Sequence, residues 1–136
     1  MKYNAKNNPR VIIVQKIYSH LFNNEKIIIF PKHRFKKFIK DVVNGTLERD
    51  EIINQEISNY LKNDVDIKRL DKVFEILLKS AIFEILYKPN VSKKIIIQEY
   101  LNASNFFVSN SQTKYLNALL DKISKQLRNC LLYTSP

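Results

Sequence analysis

Glycine is almost absent from this sequence: Gly45 is the only one among 136 residues, and proline occurs four times. A glycine-rich phosphate loop needs several glycines so that backbone N–H groups can approach the phosphates, and such a nucleotide site is therefore excluded. A turn-rich all-β fold would also need more of both residues. The scarcity of turn-forming residues favours a helical protein.

Residues for metal, disulfide or nucleophilic chemistry are equally scarce. Cys130 is the single cysteine, so no intramolecular disulfide can form. His20 and His33 lack Cys, Asp or Glu companions at metal-ligand spacing. Asp64 and Asp66 lie in a polar connector and are interpreted as solvated turn residues. We therefore predict no catalytic residue, no metal and no cofactor, and we expect a protein that is not an enzyme.

Long apolar runs are missing as well. No stretch approaches the roughly 20 residues that a membrane-spanning helix needs, and the amino terminus has no apolar signal core. We expect a cytoplasmic protein that does not contact a membrane.

Positive charge is present in excess and is concentrated at one end. The formal net charge is +10; residues 1–40 contain ten Lys or Arg and one acid, whereas residues 41–136 contain thirteen against twelve. Such an asymmetry is typical of a surface that binds a polyanion. A Lys-, Ile- and Asn-rich composition would also follow from AT-rich coding, but that bias does not explain the concentration at one end.

Apolar residues recur at helical spacing along the chain. Asn8 and Pro9 are typical of an N-cap and first helical residue. A second helix has Phe35, Phe38, Ile39, Val42 and Val43 inward, and Gly45 is expected to end it in the left-handed conformation. Thr46 then caps a third helix to Leu61, with Ile53, Ile57, Tyr60 and Leu61 inward. Residues 23–32, which include Ile27–Phe30, are interpreted as a loop packed on the core.

The second half of the chain repeats the pattern. Residues 70–86 are apolar on nearly every side, which predicts a helix at the centre of the domain. Ser92 is expected to cap the next helix, and Ser109 with Gln112 has the form of a capping box for the last one. The sequence predicts an all-α, compact bundle of six or seven helices in two packed groups joined through the central helix.

Several segments, in this order, resemble those of the NusB family: Arg10-x4-Gln15-x2-Tyr18, Phe38-x3-Val42-x2-Gly45, Asp66-x2-Arg69-Leu70-Asp71, Ala81-Ile82-Phe83-Glu84-Ile85-Leu86, Val91-x5-Ile97-x-Glu99 and Tyr115-Leu116-Asn117-Ala118-Leu119-Leu120-Asp121-Lys122. The resemblance implies an all-α fold of two helical subdomains. It also implies transcription antitermination, with binding of the boxA RNA element of nascent ribosomal RNA transcripts together with NusE, a ribosomal protein of the small subunit, in the antitermination complex of RNA polymerase.

We expect one RNA-binding domain over residues 1–129, and a tail at 130–136 that is foreign to it. The protein is expected to be a monomer or a weak homodimer.

Candidate RNA-binding residues lie on two helices. Lys2, Lys6, Arg10 and Lys16 are predicted to contact phosphates, and Gln15 a base edge, although solvated surface roles remain open. On the last helix we predict contacts from Lys114, Asn117 and Lys122, with Asp121 opposing phosphate and so restraining non-specific binding.

Two further residues are candidates for protein binding. By the resemblance, Tyr18 and Glu84 face NusE. The alternatives are a core tyrosine and an internal Glu84–Tyr or Glu84–Lys contact, because a buried carboxylate must be paired.

Two other functions stay open at this point. The chain could be a NusB-like RNA-recognition domain from a ribosomal RNA cytosine methyltransferase. It could also be a helical protein–protein adaptor whose lysines reflect only genome composition.

Overall fold

The protein is a bundle of α-helices, described by a computed structural model over residues 7–134, with side chains described through residue 128. The helices are α1 (Pro9–Phe22), α2 (Lys36–Glu48), α3 (Asp50–Leu61), α4 (Lys72–Tyr87), α5 (Lys93–Ser104) and α6 (Asn110–Thr134), with a 3₁₀ turn at Ile67–Arg69. No strand occurs between residues 7 and 134. The predicted all-α class is confirmed.

Helix α4 is the centre of the bundle, as its apolar sequence predicts. It contacts each of the other five helices, and contacts also join the two predicted groups directly, since α1 packs on α5 and α3 packs on α6. One continuous hydrophobic core runs through both groups. Lys79 and Glu84 are the charged residues buried in this helix. The Nζ of Lys79 lies 2.9 Å from both Asp50 Oδ1 and Glu75 Oε2. Burial opposes the charge of Lys79, but the two carboxylates outweigh it and raise its pKa.

Three of the predicted helix starts, those of α1, α5 and α6, are confirmed by their capping hydrogen bonds. Asn8 Oδ1 accepts from the backbone N–H groups of Arg10 and Val11, at 2.9 and 3.3 Å. Ser92 Oγ accepts from the Ile95 N–H at 3.2 Å, and Ser109 Oγ from that of Gln112 at 3.3 Å. These bonds satisfy donors that a helix leaves unpaired in its first turn.

The predicted end of the second helix is wrong. Gly45 lies inside α2, its φ is not positive, and the helix continues to Glu48. The glycine serves close packing instead, because a Cβ there would lie 2.2 Å from Phe83 Cζ. Thr46 is therefore a buried residue of α2 rather than a cap, and α3 begins at Asp50.

Other assignments are partly corrected. Tyr60 and Phe35, both predicted to face inward, are exposed. The loop at 23–32 is confirmed, but only Ile28 and Phe30 pack on the core, while Ile27 and Ile29 are 79% and 73% exposed. Helix α6 continues to Thr134, so the backbone of the predicted tail is helical as far as that residue.

The turn between α4 and α5 is held by α6. The Arg128 guanidinium donates hydrogen bonds to the carbonyl oxygens of Ile85, Lys88 and Val91, at 3.0, 2.9 and 2.5 Å. These carbonyls lie at and beyond the end of α4, where a helix leaves acceptors unpaired. None of the helices between residues 7 and 134 is both long enough and apolar enough to cross a membrane.

Candidate nucleic-acid interface

The amino-terminal end of α1 is joined to the centre of the bundle by a buried ion pair. Arg10, two residues after the cap, donates from Nη2 to Glu84 Oε1 at 2.7 Å and from Nε to Glu84 Oε2 at 3.2 Å. The Arg10 side chain is 11% exposed and that of Glu84 is 0% exposed. This two-point contact suits a guanidinium, whose planar fork matches both carboxylate oxygens.

Tyr100 and Phe38 complete the network around this pair. The Tyr100 hydroxyl donates to Glu84 Oε2 at 2.5 Å, and the Arg10 guanidinium lies 4.6 Å from the Phe38 ring centroid. Burial of the hydroxyl, reinforced by Glu84, raises the pKa of Tyr100 well above its ordinary value. Burial opposes the charge of Arg10, but Glu84 outweighs it and raises the pKa of Arg10. The network links α1, α2, α4 and α5.

The predicted roles of Arg10 and Glu84 are corrected by these contacts. A phosphate ligand or a NusE contact needs an exposed group, whereas both charges are directed at each other inside the protein. The structure shows the internal contact that was left open for Glu84. Its tyrosine partner is Tyr100, and its cationic partner is Arg10 rather than a lysine. The pair positions α1 on α4.

The remaining candidates on α1 lie at or near the surface. Gln15 is exposed, and Lys16 and Tyr18 are partly exposed. Tyr18 packs on the core and against the Phe22 ring, with 5.0 Å between ring centroids. Lys2 and Lys6 lie outside the described residues.

Exposed apolar side chains continue from Tyr18 into the loop that follows α1. His20 Nδ1 lies 2.7 Å from the carbonyl oxygen of Glu25, and this contact folds the loop back onto the helix. Around this fold lie the partly exposed Tyr18 and the exposed Leu21, Phe22, Ile27 and Ile29, which we term the α1-end patch. An exposed apolar surface of this kind is typical of a protein-binding site.

The candidates on α6 are all exposed. Lys122 Nζ contacts Asp64 Oδ2 at 2.6 Å, and Asp121 Oδ2 contacts Lys125 Nζ at 3.2 Å. Lys114 and Asn117 lie on the same exposed side of the helix. The structure therefore places these side chains where a ligand could reach them.

The two sets of candidates lie on helices that share two neighbours. Helix α1 packs on α2, α4 and α5, whereas α6 packs on α3, α4 and α5. Arg10 was expected to extend the α1 set, but its burial leaves Gln15 and Lys16 as the members of that set described by the structure.

The sequence prediction assigned no role to a second basic segment. Residues 32–40 contain Lys32, Arg34, Lys36, Lys37 and Lys40 and no acid, and all five side chains are exposed. The signal was present in the charge distribution, but the segment lacks a family motif that would have singled out its residues. In the described part of the chain, no cluster of three His, Cys, Asp or Glu side chains could hold a metal ion.

Comparison with known proteins gives one consistent family. The family model described as NusB matches residues 6–125. The chain is 28% identical over 149 residues to the transcription antitermination protein NusB of Rickettsia bellii (strain OSU 85-389), covering 92% of this chain and 93% of the relative. It is 30% identical over 122 residues to that of Rickettsia massiliae (strain Mtu5), covering 84% and 76%. The solved structure of T. maritima NusB aligns with a TM-score of 0.73 at 22% identity, covering 93% of this chain and 94% of that one, and has the same fold.

Proposed function

The chain belongs to the NusB family of transcription antitermination factors, and on this premise we propose that it binds the boxA element of nascent ribosomal RNA transcripts together with NusE. In this role it suppresses termination by RNA polymerase as a non-enzymatic member of the antitermination complex. The observation that carries the proposal is the family match over residues 6–125.

The proposed RNA surface uses the exposed candidates on α1 and α6. Lys16 and Lys114 supply charge for phosphates, and Gln15 and Asn117 supply amide groups that can pair with base edges. Lys2 and Lys6 extend the α1 set by their place in the sequence. Lys122 forms an ion pair with Asp64, and Asp121 forms one with Lys125. In each pair the two charges partly cancel, so neither pair contributes a full positive charge to the surface.

The proposed NusE surface is the α1-end patch. Tyr18 lies within it, and its neighbours include Ile27 and Ile29, the most exposed large apolar side chains of the chain portion described here. Covering such groups with a partner removes apolar area from water, which favours association by about 25 cal/mol per Å² before the entropic costs of binding. Glu84 contributes indirectly, because its pair with Arg10 fixes the orientation of α1.

The test is binding of a boxA RNA and a scrambled RNA of the same composition, each with and without purified NusE. We expect preference for boxA and tighter binding with NusE. If Lys2, Lys6, Lys16 and Lys114 engage phosphates of single-stranded RNA, the logarithm of the association constant should fall with that of the salt concentration with a slope of about −3.

Two variants and one control locate the surfaces. Lys16→Ala/Lys114→Ala should weaken RNA binding, and Tyr18→Ala should reduce the gain from NusE while leaving binding by the free chain unchanged. Lys26→Ala/Lys94→Ala removes the same charge from exposed lysines outside the proposed RNA surface and, without NusE, should bind RNA as the wild type does. Equal affinity for boxA and scrambled RNA in the presence of NusE would contradict the proposed function.

A further inference from the structure

A wide groove lies between α2 and the carboxyl-terminal end of α4, apart from the residues of the proposed RNA and NusE surfaces. Its volume is about 1000 Å³, at the upper end of the roughly 300–1,000 Å³ of small-molecule sites. It is open to solvent. Its lining residues are mostly basic or aromatic.

Aromatic rings form the floor of the groove. Phe83 packs directly on Gly45, where any side chain would collide with its ring. Tyr87, one helical turn later, lies 5.1 Å from Phe83 between ring centroids and is 37% exposed. The only glycine of the chain thus lets α4 approach α2 closely enough for both rings to sit at the base of the groove.

An arginine lies over each of two rings at this site. The Arg49 guanidinium lies 4.5 Å from the Tyr87 ring centroid, and that of Arg34 lies 5.0 Å from Phe35. Stacked pairs of a ring and a guanidinium offer flat, positively charged faces to a planar ligand. A nucleobase can stack on such a platform whatever its identity, since every base has a π face.

The walls of the groove have an excess of positive charge. Five basic residues line it, against Asp41 and Glu48. Asp41 is paired with Lys88. Lys37 and Lys40, one turn apart on α2, have no ion pair within the described residues, so their charges are available to an anionic ligand. The basic segment at 32–40, which the proposed function does not use, supplies most of this charge.

The groove also adjoins the amino-terminal end of α1. Phe38 lines it, and the Arg10 guanidinium lies against the same ring. The groove therefore begins beside the amino-terminal end of α1, the helix that bears the candidate Lys16, and a strand held there could continue into it.

We propose that this groove binds single-stranded RNA without sequence preference, with bases stacked on Tyr87 and Phe35 and phosphates held by Lys37 and Lys40. The inference rests on the proposed function in that RNA is taken to be the natural ligand. Single-stranded nucleic acid fits the combination of stacking faces and a cationic backbone track. An acidic polypeptide would use the charge but would leave the flat faces without planar partners.

Fluorescence anisotropy with a labelled 12-nucleotide oligouridylate tests the groove, because this probe lacks boxA. We expect Tyr87→Leu, which keeps apolar bulk but has no π face, to weaken oligouridylate binding about tenfold. Tyr87→Phe, which retains the ring, should bind within about twofold of the wild type. Lys37→Ala/Lys40→Ala should make the salt slope shallower by about 1.4, and Lys26→Ala/Lys94→Ala should leave it unchanged.

The same variants, measured with boxA RNA and NusE, separate this inference from the proposed function. Oligouridylate binding that depends on Tyr87 and on the lysine pair supports the groove, even if boxA preference is absent and the proposed function fails. Binding of boxA with no oligouridylate binding at low salt overturns the groove and leaves the proposed function intact. Equal loss of oligouridylate binding in the groove variant and the Lys26/Lys94 control would also overturn it, because the effect would then be one of net charge alone.

Discussion

Replacement of Arg10 by methionine should destabilise the protein strongly, although the residue lies in the first turn of the first helix. Methionine retains the apolar stem over Phe38 but removes both hydrogen bonds to Glu84, a carboxylate that is 0% exposed. Breaking a buried ion pair by removing one partner costs about 3–5 kcal/mol. That is a large part of the roughly 5–15 kcal/mol that stabilises a whole domain, and it corresponds to a fall in Tm of roughly 10–20 °C.

Urea unfolding followed by circular dichroism at pH 7 measures this loss. Arg34→Met is the matched control, since Arg34 also lies over a phenylalanine ring but is exposed and has no ion pair in the described structure. It should change the free energy of unfolding by less than about 0.5 kcal/mol. Arg10→Met/Glu84→Gln removes the unpaired charge while keeping an acceptor for Tyr100, and should recover much of the stability lost in Arg10→Met.

The reasoning would be refuted if Arg10→Met unfolded at the same urea concentration as Arg34→Met. If Arg10→Met kept this stability but lost affinity for boxA RNA, Arg10 would be an RNA ligand, as the sequence predicted. A double variant less stable than Arg10→Met would show that the buried charge is not the source of the loss.

Three other outcomes are expected from the structure. Gly45→Ala should lower the free energy of unfolding by about 1–3 kcal/mol in urea titrations, because the added methyl collides with Phe83; wild-type stability would show that the ring moves aside freely. Burial raises the pKa of Tyr100 in the folded protein, so above about pH 10 the unfolded chain binds fewer protons than the folded one and stability falls as pH rises; Tyr100→Phe should make this alkaline decline shallower by up to about 1.4 kcal/mol per pH unit, and an unchanged decline would exclude Tyr100 as a source. Asp121→Asn removes an exposed negative charge and frees Lys125, so anisotropy should show tighter RNA binding; unchanged or weaker binding would remove this residue from the proposed surface.

The helical class and most helix positions could be predicted because both depend on local chemistry. The caps at Asn8, Ser92 and Ser109 act within three residues, and apolar periodicity marks the buried face of each helix. The end of α2 could not be predicted this way. A glycine after an apolar stripe is typical of a helix end, and only the position of Phe83 explains why this one lies inside the helix.

The residues of the candidate site were likewise predictable only where local sequence properties decide. Charge concentration in residues 1–40 follows from composition alone, as does the exposure expected for polar residues such as Gln15 and Asn117. Composition alone does not show whether a given cationic side chain faces solvent or a buried acid. Lys79, for example, lies in the apolar helix α4 and forms an ion pair with Asp50 on α3.

The sequence alone was enough to show that this chain is helical, that Asn8, Ser92 and Ser109 precede three of its helices, and that its positive charge is concentrated toward the amino terminus, because caps, periodicity and charge are properties of neighbouring residues. Tertiary structure alone decided that Arg10 meets Glu84, 74 positions away, and that Gly45 opens a groove above Phe83. Such pairings depend on how helices pack, since two side chains interact only when the fold brings them within a few ångströms and removes the water between them.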